Sequence, residues 1–94
     1  MKNYEMMTLT RGNDGEENAK TVSKEISELI TSLEGKVQKT DFWGKRKLAY
    51  KIRQDTDGFY EVILFELAKD QVDNLKSKLN LMDNLGRYII TAKS

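Results

Sequence analysis

The stretch Asp41 to Arg53, DFWGKRKLAYKIR, concentrates side chains that could bind a polyanion. Five of the chain's 16 basic residues fall within positions 45–53, where no acidic residue occurs: Lys45, Arg46, Lys47, Lys51 and Arg53. Because the whole chain has a net charge of only +1, the remainder carries −4. Lysine and arginine neutralise phosphates, and the neighbouring Trp43 and Tyr50 can stack on bases, so the stretch favours contact with RNA or DNA. The other interpretation is a solvated strand face, or a guard against edge-to-edge pairing.

Catalytic, metal-binding and membrane functions find little support in the composition. The chain has no cysteine for a disulfide or a thiolate, and no histidine, the commonest metal ligand and general base. No apolar run approaches the roughly 18–20 residues that span a membrane, and MKNYEMMTLT lacks the apolar core of a signal peptide. We therefore expect a cytoplasmic protein that is not an enzyme and has no metal, no cofactor, no small-molecule substrate and no membrane partner.

The elements that must position the cationic stretch can be predicted from periodicity. Apolar residues recur at three- and four-residue spacing, which predicts a helix: Ala19, Val22, Ile26, Leu29, Ile30 and Leu33. Asp14 with Glu17 has the form of a capping box at its start, with Asn13 as the alternative cap, and Gly35 stands where a left-handed C-cap belongs. A second helix, with Asp70 as its cap, carries Val72, Leu75 and Leu79.

Four strands complete the pattern: Tyr4 to Thr10, Val37 to Arg53 with Gly44 as a bulge or bend, Phe59 to Leu67, and Arg87 to Ala92. The turn signal QDTDG predicts a hairpin between the second and third strands. The order β-α-β-β-α-β predicts an α+β, ferredoxin-like split βαβ sandwich, a four-stranded antiparallel sheet with two helices on one face. Residues 1–94 contain no linker or repeat, which predicts a single domain.

Strand alternation sorts residues between the two faces of this sheet. We predict that Phe65, Leu67, Tyr88 and Ile90 meet the helices. The opposite face would then be unusually apolar, with Met7, Leu9, Tyr60, Val62, Leu64 and Ile89. Such patches commonly mark binding sites, so we predict a protein-partner face. Incidental exposure on a centrally placed third strand, shielded by long neighbouring side chains, is the alternative.

Four segments together resemble the bacterial small-subunit ribosomal protein six family: YEMMTL, WGKRKLAYKI, GFYEVILFEL and MDNLGRYII. They span essentially the whole chain in the right order. The most specific is G-x-(R/K)-(R/K)-LAY at Gly44 to Tyr50, supported by N-L-x-R at Asn84 to Arg87.

The resemblance implies a ferredoxin-like fold and a structural role in the ribosome. It further implies binding to the central domain of 16S rRNA together with small-subunit ribosomal protein eighteen during assembly. Lys45, Arg46, Lys47 and Arg87 match basic positions of the family motifs, and Lys2 matches a basic residue common near the start. With Lys51 of the cationic stretch, these form the predicted RNA-binding set. Gly86 stands where some relatives have a second basic residue.

Two other functions fit the same element order. An RRM-like module binding single-stranded RNA would use DGFYEVILF, but Asp57 and Glu61 replace an expected basic residue and an expected aromatic, and Phe59 and Tyr60 face opposite ways. An acylphosphatase would use Arg11 in TRGNDGEE, whose three acids would repel a phosphate. Fold analogy alone supports an enzyme of this kind.

Overall fold

The elements of the fold follow the predicted order. A computed structural model describes residues 1–52 and 55–93. Within these ranges it describes every side chain except those of residues 13, 47–52 and 55–57. The strands and helices are β1 (Lys2–Arg11), α1 (Gly15–Ser32), β2 (Lys36–Ile52), β3 (Asp55–Leu67), α2 (Val72–Asn80) and β4 (Arg87–Lys93). Short 3₁₀ turns at Gly12–Asp14 and Lys69–Gln71 precede the two helices.

The four strands form one antiparallel sheet in the order β2-β3-β1-β4. β1 and β3 lie in the centre, and β2 and β4 are the edges. The predicted ferredoxin-like arrangement is confirmed. The β2–β3 hairpin is also confirmed by its antiparallel register, although Arg53 and Gln54 lie outside the described residues.

The hydrophobic core lies between the sheet and the two helices. From the sheet, Met6, Ile63, Phe65 and Leu67 are fully buried. The helices bury Val22, Ile26, Ile30, Leu75 and Leu79 against them. Tyr88 and Ile90 pack at the margin of this cluster. The prediction of which strand residues meet the helices is therefore confirmed.

Two helix-end predictions were wrong and a third was confirmed only in position. Asp14 is the N-cap residue of α1, as predicted, but its side chain makes no capping bond. Its carboxylate instead accepts hydrogen bonds from Nε and Nη2 of Arg11, both at 3.0 Å. Asp70 lies within the second 3₁₀ turn, so Gln71 occupies the N-cap position of α2, without a side-chain capping bond. The left-handed residue after α1 is Glu34, at φ 65°, and not Gly35.

The C-terminus of α1 explains why a glycine still follows. The N–H of Gly35 donates to the carbonyl of Ile30 at 2.8 Å, and that of Glu34 donates to Thr31 at 3.0 Å, the two bonds of a Schellman motif. A Cβ at position 35 would lie 2.6 Å from the carbonyl oxygen of Glu66. Gly35 is therefore required by close approach of the helix end to β3, and not by its φ angle.

Candidate nucleic-acid interface

The face of the sheet opposite the helices carries the predicted apolar patch. Strand register aligns Val62, Met7 and Ile89 in one row across β3, β1 and β4. The next row contains Tyr60, Leu9 and Arg87. Ile89 is 66% exposed, whereas the other apolar members of these two rows are half-buried. Together the five apolar side chains form what we call the apolar patch: Met7, Leu9, Tyr60, Val62 and Ile89.

The same face becomes charged toward its other end. Leu64, the sixth residue of the predicted partner face, is paired with Lys39 on one side and Glu5 on the other. Glu5 in turn forms a 3.6 Å ion pair with Lys93. Leu64 therefore marks the boundary of the patch, and the patch lies at the end of the sheet near the cationic stretch.

A bulge in β2 brings an aromatic side chain to this end. Phe42 pairs with Glu61 and Gly44 with Tyr60, so that Trp43 is an extra residue on β2, and Gly44 adopts φ 81°. Phe42 stacks on the buried Phe59, at a centroid distance of 6.3 Å. Trp43 lies against Tyr60 at 6.4 Å on the opposite face. The predicted bulge at Gly44 is confirmed; strand alternation could not assign Trp43 to a face, because alternation fails across a bulge.

The structure separates the predicted cations. Lys45 pairs with Phe59 and Arg46 with Gly58, so the two exposed side chains leave opposite faces of β2. Arg46 is on the face of the apolar patch, as is Arg87, which pairs with Leu9.

Lys2 is not brought near these residues. It lies at the other end of the ten-residue strand β1. At roughly 3.3 Å per residue, it is about 23 Å along the strand from the row of Arg87 and about 30 Å from the row of Arg46. The side chains of Lys47 and Lys51 lie outside the described part of the chain. Among the described residues, Lys45, Arg46 and Arg87 thus lie at the same end of the sheet, on its two edge strands.

Glu61 is the exception in the apolar alternation of β3, and its side chain is buried on the helix side of the sheet. Ser23 of α1 donates its hydroxyl hydrogen to Oε2 of Glu61 at 3.0 Å. Burial raises the pKa of this carboxyl, and the bond from Ser23 opposes that shift only in part. The carboxylate is directed away from the face that carries Arg46, so it does not oppose phosphates there.

The alternative functions each lose a residue that they would use. Of the two aromatics in the RRM-like motif, Phe59 is only 8% exposed and stacks on Phe42, whereas Tyr60 lies half-buried on the open face. Arg11, the candidate phosphate ligand of an acylphosphatase, forms a two-point ion pair with Asp14. In the part of the chain that the structure describes, no group of three or more acidic side chains could hold a metal ion.

The family model described as ribosomal protein S6 matches residues 3–92. The chain belongs to the ribosomal protein S6 family. It is 40% identical over 91 residues to small ribosomal subunit protein bS6 of Dictyoglomus turgidum, covering 97% of this chain and 94% of that protein. It is 36% identical over 90 residues to the protein of the same name from Fusobacterium nucleatum, covering 96% of each.

A solved structure of a ribosomal protein S6 agrees with this placement, and a second solved structure shares the fold. The crystal structure of 30S ribosomal protein S6 from Thermotoga maritima superposes with a TM-score of 0.90 at 25% identity, covering 98% of this chain and 87% of that one. The C-terminal domain of MgtC from Mycobacterium tuberculosis has a TM-score of 0.64 at 13% identity, with 99% and 88% covered, and shares the fold alone.

Family membership decides several predictions. The ribosomal protein S6 family is structural and non-enzymatic, so the chain is a structural constituent of the small ribosomal subunit and not an enzyme. The predicted ribosomal, cytoplasmic location is confirmed on the same ground. Among the described residues, neither helix has the length and apolar character needed to cross a membrane.

Proposed function

We propose that residues 1–94 act as a single domain that binds the central domain of 16S rRNA together with small-subunit ribosomal protein eighteen during subunit assembly. In this proposal the cationic end of the sheet contacts RNA: Lys45, Arg46, Arg87 and, in the same stretch, Lys47 and Lys51. The apolar patch and its neighbour Leu64 contact the protein partner. Lys2, at the far end of β1, would reach a separate part of the RNA.

The observation that carries the proposal is the contiguity of the two surfaces. The row Tyr60–Leu9–Arg87 ends in a cation. The row beside it, Val62–Met7–Ile89, is apolar on β3, β1 and β4, and Asp41 continues it on β2. A groove of about 760 Å³ borders β4 and is lined in part by Met7, Leu9, Tyr60 and Ile89. A concave apolar surface that meets cations along one side suits a joint surface for a protein and an RNA.

The charge of the chain supports co-binding over independent RNA binding. The chain has 15 acidic residues against 16 basic ones, and outside the five basic residues of positions 45–53 its net charge is −4. A handful of phosphate contacts gives weak, salt-dependent affinity. A partner that occupies the adjacent patch would raise the affinity by joining two surfaces into one binding unit.

A pull-down with purified small-subunit ribosomal protein eighteen, with and without a central-domain rRNA fragment, tests the proposal. We expect capture of the partner to be strongest when the RNA is present, and capture of the RNA to depend on the partner. An equal yield of RNA with and without the partner would contradict joint binding. A complete lack of RNA in both conditions would contradict the RNA-binding role itself.

A further inference from the structure

Trp43, which belongs to neither the cationic set nor the apolar patch, forms an aromatic pair on the open face with Tyr60 of the patch. Their ring centroids are 6.4 Å apart and their planes are tilted by 39°. Trp43 is 42% exposed, one of the most exposed large apolar side chains among the described residues. A single exposed aromatic is ordinary on a protein surface, so its orientation and surroundings decide whether it has a role.

The orientation of the indole is fixed before any ligand binds. Its Nε1–H donates a hydrogen bond to Oδ2 of Asp41 at 3.1 Å, and the ring lies against Tyr60. The bulge that ends at Gly44, with φ 81°, turns Trp43 to this face. Bulges commonly re-aim a side chain at a functional site, and a pre-positioned ring loses little conformational freedom on stacking.

Two arginines and the carboxylate of Asp41, which the indole binds, flank the aromatic pair on the same face. Arg46 lies two residues beyond Gly44 and opposite Gly58, which has no side chain to separate it from β1. On the other side, the row of Tyr60 ends in Arg87. An aromatic surface bordered by arginines matches the two parts of a nucleotide, a flat base and a charged phosphate. An apolar protein segment would match the ring but would offer no anion to Arg46, whose Nη1 donates to the carbonyl of Lys45 at 3.2 Å.

We propose that Trp43 and Tyr60 form a seat on which one unpaired base of the RNA stacks, with Arg46 binding an adjacent phosphate. This inference rests on the proposed RNA-binding function and adds a base contact to it. Tyr60 stands at the boundary, with one side toward the seat and the other toward the apolar patch. The seat is distinct from the RRM-like platform, because it uses Trp43 of β2 where that motif would use Phe59.

Trp43 is the only tryptophan in the chain, so its fluorescence reports on this site alone. The experiment titrates the full chain first with a form of small-subunit ribosomal protein eighteen that contains no tryptophan, and then with labelled central-domain rRNA. The emission of Trp43 and the anisotropy of the labelled RNA are recorded at each step. We expect quenching of Trp43 upon addition of RNA and little change upon addition of the partner alone.

Two substitutions separate stacking from simple apolar contact. Trp43→Leu keeps apolar bulk but removes the ring, and should weaken RNA binding between about fivefold and a hundredfold, as expected for loss of one stacked base. Trp43→Phe keeps a ring and should retain most of the affinity. Circular dichroism and thermal unfolding check that both variants are folded.

The outcomes distinguish this inference from the function on which it rests. If wild-type protein binds RNA with its partner but Trp43→Leu binds equally well, the seat is wrong and the RNA-binding function stands. Quenching by the partner alone assigns Trp43 to the protein interface and also overturns the seat. If the wild-type chain with its partner shows no affinity for the RNA, both proposals fall together.

Discussion

Replacing apolar residues by threonine on the two faces of the sheet should separate partner binding from stability. Val62, Met7 and Ile89 form one row on the open face. One residue along the same strands, Ile63, Met6 and Ile90 form the matching row on the helix face. Threonine is β-branched and suits a strand, so the substitution changes polarity with little change in backbone preference. The test pair is Val62→Thr with Ile89→Thr, and the matched control is Ile63→Thr.

The expected changes in stability follow from burial. Ile63 is fully buried, so Ile63→Thr loses apolar contacts and buries a hydroxyl, which should lower the free energy of unfolding by about 3–4 kcal/mol. Ile89 is 66% exposed and Val62 is half-buried, so the open-face pair should lower it by only about 1 kcal/mol. Urea unfolding followed by circular dichroism measures both values.

Affinity for the protein partner should fall most in the open-face pair and least in Ile63→Thr, the reverse of the order for stability. If the patch is the partner surface, the open-face pair places two hydroxyl groups beside Met7 at its centre and should weaken binding to small-subunit ribosomal protein eighteen at least tenfold, about 1.4 kcal/mol. Folded Ile63→Thr should bind as the wild type does. Isothermal titration calorimetry gives both affinities. An open-face pair that binds normally would refute the assignment of the patch, and a loss of stability equal to that of Ile63→Thr would refute the assignment of the faces.

Three further predictions concern single residues. Arg46→Ala should weaken rRNA binding of the assembled complex by roughly 1–3 kcal/mol with unchanged thermal stability, because Arg46 is exposed; equal RNA affinity in a filter-binding assay would make it a solvated residue. Burial raises the folded-state pKa of Glu61 above its ordinary value of 4.5, so the folded state binds the proton more tightly than the unfolded state. The free energy of unfolding should therefore fall as pH rises from about 4.5 through the raised pKa. In a pH series of urea titrations, Glu61→Gln should remove this pH-dependent part of the free energy of unfolding. Gly35→Ala should destabilise the fold by about 2 kcal/mol or more, since its Cβ would lie 2.6 Å from the carbonyl oxygen of Glu66, and a melting temperature equal to that of the wild type would contradict this packing.

Regular periodicity accounts for the parts of the structure that the sequence predicted well. Where strands alternate without interruption, as from Phe59 to Leu67, the sequence predicted which side chains share a face, because the pleat sends successive residues to opposite faces. Alternation does not say which face is the core, and the choice of the face with Phe65 and Leu67 is confirmed by their burial. The spacing of Val22, Ile26 and Ile30 likewise predicted the buried face of α1.

The remaining features depend on contacts between residues that are not related by periodicity. Alternation cannot follow Trp43 through the bulge before Gly44, so the aromatic pair with Tyr60 was not predicted. Asp14 has the residue type of a cap, but its carboxylate accepts hydrogen bonds from the guanidinium of Arg11 and not from the backbone of α1. Gly35 was predicted from its type, yet the close approach of Glu66 is the reason for it.

Titration of labelled central-domain rRNA at two salt concentrations, with and without small-subunit ribosomal protein eighteen, tests joint binding most directly. Because the chain has a net charge of +1 and is net negative outside the cationic stretch, we expect it to bind this RNA alone no more tightly than about 10⁻⁴–10⁻⁶ M, with a clear loss of affinity at higher salt. The partner should tighten binding, and the Val62→Thr, Ile89→Thr pair should remove that gain. Nanomolar binding that does not depend on the partner would contradict joint binding and would show a self-sufficient RNA-binding domain.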